Sequence, residues 1–162
     1  MLLMNDHDKA LEKVRSLIKG IEIAMLTTVT SEGLVSRPMK TQELEFDGDL
    51  YFLTMKSTGK YEELQQNPHV NVVYVGASYV SIRGTAQLLD DREKIKEYWN
   101  TAYEKMLKTT SDDPNLILIK VHAETAEYWD TGNWLKSILE LVYQLTGKES
   151  KETNINNQIN LE

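Results

Sequence analysis

Two lysines, two small hydroxyl residues and a glycine run together at Lys56-Ser57-Thr58-Gly59-Lys60, between a strand-like apolar stretch and a helical one. A helix start offers free N–H groups and the positive end of the macrodipole, so lysine there is disfavoured unless an anion lies among them. The group reads as half of an anion site. It is not a Walker A loop, because STGKY has no glycine at the required upstream position and Tyr61 replaces the Ser or Thr that would hold magnesium. A further cation can come from LVSRPMKT. With a period of two, Val35, Arg37, Met39 and Thr41 share one face of that strand, and Ser36, Pro38 and Lys40 share the other. Arg37, flanked by apolar residues on its own face, either snorkels to the sheet edge or holds an anion, and its planar guanidinium suits phosphate. Pro38 lacks an N–H and predicts an edge, a bulge or a parting of strands where a flat ligand can enter. Singly, Arg37 and Lys60 read as surface cations; beside Ser57, Thr58 and Gly59 they read as a phosphate cradle.

Other chemistry is sparse. The chain has no cysteine, which removes disulfides, thiolate metal sites and catalytic thiols. Its three histidines, His7, His69 and His122, show no ligand spacing, so no metal is expected. No Ser/His/Asp arrangement or paired-carboxylate motif stands out, and no catalytic side chain is assigned. A net charge of −7 argues against a general nucleic-acid partner and requires any phosphate site to be local. No apolar run approaches the ~20 residues of a membrane helix, and the start MLLMNDHDKALEKV lacks the layout of a signal peptide. The expected location is cytoplasmic, with no membrane partner.

These residues need elements to position them. At 162 residues, 41% hydrophobic and 27% charged, the chain suits one globular domain. Asp8 to Gly20 is an amphipathic helix by the spacing of Leu11, Val14, Leu17, Ile18 and Ile21. IAMLTTV, LVSRPMKTQELEF and LYFLTM read as three strands joined by short turns, an antiparallel meander closed by the hairpin turn DGD. A short helix from about Ser57 stops at Asn67-Pro68; VNVVYV and YVSIRGTAQLL follow as strands. Asp90 to about Lys108 reads as one helix, with Asp90 and Glu93 as a capping-box-like pair and Ile95, Trp99, Ala102 and Met106 as its stripe. Tyr98, Trp99 and Tyr103 read as core aromatics. LILIKVHAETAEYWD is a sixth strand, and Trp134 to Thr146 a last helix, with Trp134 placed at an interface. Residues 148–162 read as a polar tail able to dock through Ile155, Ile159 and Leu161. The economical architecture is a small antiparallel barrel with peripheral helices.

The order GLVSRPM, DLYFLTMKSTGKYEELQQNPHVNVVY, YVSIRGTAQL and AEYWD resembles the general stress protein 26 group of the pyridoxamine 5′-phosphate oxidase-like, FMN-binding split-barrel family, over about residues 8 to 147. The resemblance implies a mainly β, six-stranded antiparallel split barrel with peripheral helices. Residues 1–147 would form the FMN-binding domain and 148–162 the tail. It also implies a homodimer with flavin mononucleotide at the interface. Arg37 matches the family's phosphate-contacting arginine, and Ser57 and Lys60 its phosphate turn, with Thr58 a helper. Pro38 and Met39 would lie along the flavin ring, Thr54 and Met55 would present backbone at its polar edge, and Trp129 would approach the ring from the partner chain. Arg83 is open to a cofactor, partner or rim role.

Two departures matter. The arginine-rich carboxyl end of the true oxidases is replaced by an acidic and amidic tail, which argues against pyridoxamine phosphate as substrate. Gly59 replaces an arginine of the oxidases' motif, which leaves the phosphate one cation fewer. The reading is a flavin-dependent oxidoreductase of general stress protein type acting on an unidentified small molecule; a flavin supplies its own redox chemistry, so no protein nucleophile is needed. The alternatives are a non-catalytic flavin sensor or reservoir, and a bare barrel used for protein contacts.

Overall fold

The computed structural model describes residues 5–42, 46–129, 141–147 and 156–162. In chain order the elements are α1 (Asp6–Ile18), β1 (Ile23–Thr30), β2 (Gly33–Lys40), β3 (Asp49–Met55), α2 (Gly59–Gln66), β4 (His69–Val75) and β5 (Tyr79–Leu89), then α3 (Arg92–Tyr98), α4 (Thr101–Leu107), β6 (Leu116–Trp129) and β7 (Asn156–Asn160). Residues 141–146 are also helical. Trp134 and Ile155 lie outside the described residues. No described helix is long and apolar enough to cross a membrane.

Among the described residues, seven strands form one antiparallel sheet in the order β2-β1-β4-β5-β6-β3, with β7 also on β6. The path does not close, since β2 and β3 are its two ends and share no ladder. This is a split barrel. Alternation decides what faces inward: Ala24, Leu26 and Thr28 on β1, Val70, Val72 and Tyr74 on β4, and Val80 and Ile82 on β5 are all buried. Leu11 and Val14 of α1 join that same core. A smaller cluster of Leu53, Ile95, Tyr103, Leu116 and Leu118 fills the space under α3 and α4.

The expected meander is corrected. β1 and β2 do pair, with Arg37 opposite Leu26, but β3 pairs with β6, Phe52 opposite Ile119. The cause is burial on both faces of β3, where Phe52 enters the main core while Leu53 meets the second cluster. Only β6, whose residues Leu116 to Ile119 are all buried, offers a neighbour covered on both sides. β6 spans 14 residues. β3 covers its first half, and β7 pairs with Thr125 to Trp129 beyond it. β7 is the seventh strand where six were expected: the tail docks through Ile159, packed on the main core, and Leu161, buried in it, and the ladder to β6 makes it a strand.

The β5–β6 ladder slips between Arg83 and Gly84, so Gly84 faces Ala123 and Arg83 faces Thr125. The extra residue, Glu124, resets the parity of β6: Ile119, Val121 and Ala123 point into the core before it, Ala126 after it. The Leu161 N–H donates to the Glu124 carbonyl at 2.8 Å, and the Leu161 side chain is buried. Gly84 is required here, because a Cβ would lie 2.3 Å from the His122 carbonyl oxygen.

The single helix expected from Asp90 is two. Asn100 Oδ1 accepts from the Ala102 and Tyr103 N–H groups, which ends α3 and starts α4. The cap of α3 is Asp91, accepting from Lys94 N–H, while Asp90 is held by Lys56 and Arg92. The break re-aims the stripe, so Tyr103 is buried and Met106 is 53% exposed.

Candidate functional site

Pro38 sits on an edge strand, as its missing N–H requires, and the parity of β2 holds: Met39 is buried, Arg37 half-buried and Pro38 exposed. Arg37 reaches α2. Its Nη1 donates to Glu63 Oε2 at 2.6 Å and its Nη2 to Glu63 Oε1 at 2.8 Å. Thr28, fully buried on β1, donates its hydroxyl to Glu63 Oε2 at 2.8 Å. This end-on pairing leaves the Nε–H and the outer Nη2 proton of Arg37 for another acceptor, because guanidinium carries five donors in a fixed fork. The hydrogen bonds from Arg37 hold the Glu63 carboxyl below its usual range, with Thr28 and the charge of Lys60 adding to the effect.

The α2 start is open. Thr58 is the N-cap residue, yet its hydroxyl caps nothing and donates back to the Met55 carbonyl at 2.8 Å. The Gly59 and Lys60 N–H groups have no acceptor among the described residues. A Cβ at Gly59 would stand 3.3 Å from Glu63 Oε1 and 3.9 Å from Arg37 Nη2, so glycine keeps the approach to the pair clear. Lys60 has no ion-pair partner among the described residues; burial first, then the charge of Arg37, lower its pKa, with Glu63 opposing.

The remaining expected residues divide. Thr54 is buried with its hydroxyl 3.5 Å from that of Thr58. Met55 packs on the second cluster, and Met39 belongs to the main core. Ser57 is turned to Asn115, whose amide accepts from the Ser57 N–H at 3.2 Å and donates to its hydroxyl at 3.1 Å. Lys56 is paired with Asp90 at 3.0 Å, so of the two lysines of the turn Lys60 alone is without an ion-pair partner among the described residues. Trp129 is half-buried on β6, opposite Tyr79, with β5, β4 and β1 between it and β2. Arg83 is exposed on β5, and His122 bonds Asp49 through Nδ1 at 3.1 Å. Sequence reasoning missed Glu63 and Thr28. Glu63 was detectable, since it follows Lys60 by three and Gly59 by four and so shares their face of α2; Asn115 and Thr28 carried no local mark.

The model of the family described as pyridoxamine 5′-phosphate oxidase like matches residues 9–152. The chain belongs to that family. Among pyridoxamine 5′-phosphate oxidase-like relatives, General stress protein 26 of Bacillus subtilis is 28% identical over 145 residues, covering 85% of this chain and 100% of that protein. Protein bli-3 of Neurospora crassa is 27% identical over 135 residues, covering 75% of this chain and 65% of its own length. The fold is similar to that of the general stress FMN/FAD binding protein from Xanthomonas citri, with a TM-score of 0.67 at 24% identity, covering 77% of this chain and 91% of the other.

A concavity opens elsewhere in this family member. About 640 Å³ lies between the end of α1, the end of β2 and the start of β3, walled by Lys40, Leu50, Tyr51, Phe52, Tyr74 and Tyr98. None of the residues expected at the anion site lines it.

Proposed function

We propose that the chain binds flavin mononucleotide, with its phosphate at the α2 start, and works as a flavin-dependent oxidoreductase on a small molecule. The observation that carries the reading is the convergence of two unpaired amides, Gly59 and Lys60, with the Lys60 ammonium and the free side of the Arg37 guanidinium. This donor set fits a phosphate monoester: hydrogen-bond donors at a bare helix N-terminus and two cations. Family membership and the FMN/FAD binding of the Xanthomonas citri protein support flavin as the carrier of that phosphate.

When bound, the flavin supplies hydride and electron transfer. The chain's residues bind and orient it. Glu63 and Thr28 fix the Arg37 fork so that it meets the anion side-on, and Gly59 leaves room for the approach. Trp129 lies on β6, with β5, β4 and β1 between it and β2, and its proposed contact to the ring is assigned to a second copy, in a homodimer with the cofactor between the chains.

The test is titration of FMN fluorescence with the wild-type chain, Arg37→Ala and Lys60→Ala. Each substitution is expected to weaken binding by about 1–3 kcal/mol through lost charge-assisted hydrogen bonds. Unchanged affinity in both variants removes the phosphate assignment. Reduction of the flavin-saturated protein by a nicotinamide donor, followed by reoxidation, is expected of the oxidoreductase; tight binding without turnover reassigns the chain to flavin storage or sensing.

A further inference from the structure

The α2 start has no brace of its own. Thr58 stands at the N-cap without capping, and Gly59, the first helical residue, is the freest residue type in backbone conformation. Downstream, Glu63 is fixed by Arg37 and Thr28, which settles the middle of the helix and not its entry. An uncapped start of this kind frays unless something outside the helix holds it.

The hold comes from Asn115. The β3–β6 ladder runs out at Met55 opposite Leu116, and the Lys56 N–H then donates to the Asn115 carbonyl at 2.7 Å. Past that point the Asn115 side chain takes over from the backbone: its Oδ1 accepts from the Ser57 N–H at 3.2 Å, and its Nδ2 donates to the Ser57 hydroxyl at 3.1 Å. Asn115 thereby pins Lys56 and Ser57, the two central residues of the turn that the Thr58 N–H closes on the Met55 carbonyl at 3.1 Å. Asn115 is braced in turn, since its N–H donates to Asp113 Oδ1 at 2.8 Å and Arg92 Nη1 donates to the Asp113 carbonyl at 2.8 Å. With the turn pinned, the Gly59 and Lys60 N–H groups are set before an anion arrives, and binding does not have to order them. Resting on the phosphate assignment, we infer that Asn115 is a positioning residue for the phosphate site, acting through Ser57 and not by touching the anion.

The test compares FMN with riboflavin, which has the flavin ring and no phosphate, each titrated by fluorescence with the full wild-type chain, Asn115→Ala, Ser57→Ala and the double variant. Alanine at 115 keeps the backbone bond to Lys56 and removes only the side-chain pair to Ser57. Asn115→Ala is expected to weaken FMN about five-fold, the scale of one lost hydrogen bond, and to leave riboflavin unchanged. Ser57→Ala is expected to weaken FMN less, because the Ser57 N–H still reaches Oδ1, and to add nothing in the Asn115→Ala chain. Unchanged FMN affinity in Asn115→Ala, equal weakening of both flavins, an additive effect of Ser57→Ala, or a failure of Asn115→Ala to fold would each overturn the inference. A wild-type chain that binds FMN no better than riboflavin removes the phosphate assignment itself, and the role of Asn115 with it; a wild-type preference for FMN that survives intact in Asn115→Ala removes the role of Asn115 alone.

Discussion

Glu63→Gln isolates the charge that organises the α2 end of the barrel. Glu63 accepts hydrogen bonds from Arg37 at 2.6 and 2.8 Å and from Thr28 at 2.8 Å. Glutamine has the same shape but a single acceptor oxygen, so its NH₂ must face Arg37 Nη2 in one orientation, or Arg37 Nη1 together with the Thr28 hydroxyl in the other. At least one charge-assisted bond is lost. Such a bond contributes about 1.5–3 kcal/mol, and the side chains of Arg37 and Glu63 are 29% and 18% exposed, which trims the expected loss to ~1–2 kcal/mol. The pH dependence has a definite sign. The Arg37 hydrogen bonds lower the folded-state pKa of Glu63 beneath its ordinary 4.5. Its contribution is therefore complete above that value and disappears as pH falls through the folded pKa. Urea unfolding of the ligand-free chain, at fixed protein concentration, is expected to show a constant gap between wild type and variant from neutral pH down to about 4.5. Below that the gap should close. Equal stability at neutral pH, or a gap that persists in strong acid, would refute the role given to this carboxylate.

Other substitutions test the frame. Gly84→Ala should cost more than ~3 kcal/mol or abolish folding, since the new methyl meets the His122 carbonyl at 2.3 Å; a wild-type melting curve would contradict the bulged β5–β6 register. Tyr103→Phe should lose about 1–2 kcal/mol in denaturant unfolding, because the Lys40 carbonyl and Gln42 lose their partner. Leu161→Ala should destabilise by roughly 2–3 kcal/mol and make the carboxyl end sensitive to protease; an unchanged melt would mean that β7 adds nothing to the core.

Much of the local structure was legible. Period-two alternation located β1 to β6 and placed Arg37 and Met39 together on one face of β2, because strand geometry sends alternate side chains to opposite sides wherever the strand lies; that this face is the inner one came from the fold. The missing N–H of Pro38 implied an edge, and the Ser57–Lys60 turn implied an open helix start. Family membership was legible for the same reason, as these marks keep a fixed order along the chain.

Which strands pair was not legible. β3 chose β6 over β2 because both of its faces are buried, a property that exists only once α3 and α4 have closed over it. The docking of the tail through Ile159 and Leu161 was legible, but its pairing with β6 was not, because ladder bonds can be made by any backbone. The turn lysines looked equivalent until Asp90, 34 residues downstream of Lys56, drew one of them away. Glu63, Thr28 and the cavity around Tyr74 likewise arise from residues distant in sequence. Periodicity is a local property of the backbone and records which face is covered; partnership depends on contacts between remote segments, and these are decided only when the sheet curls and the core closes.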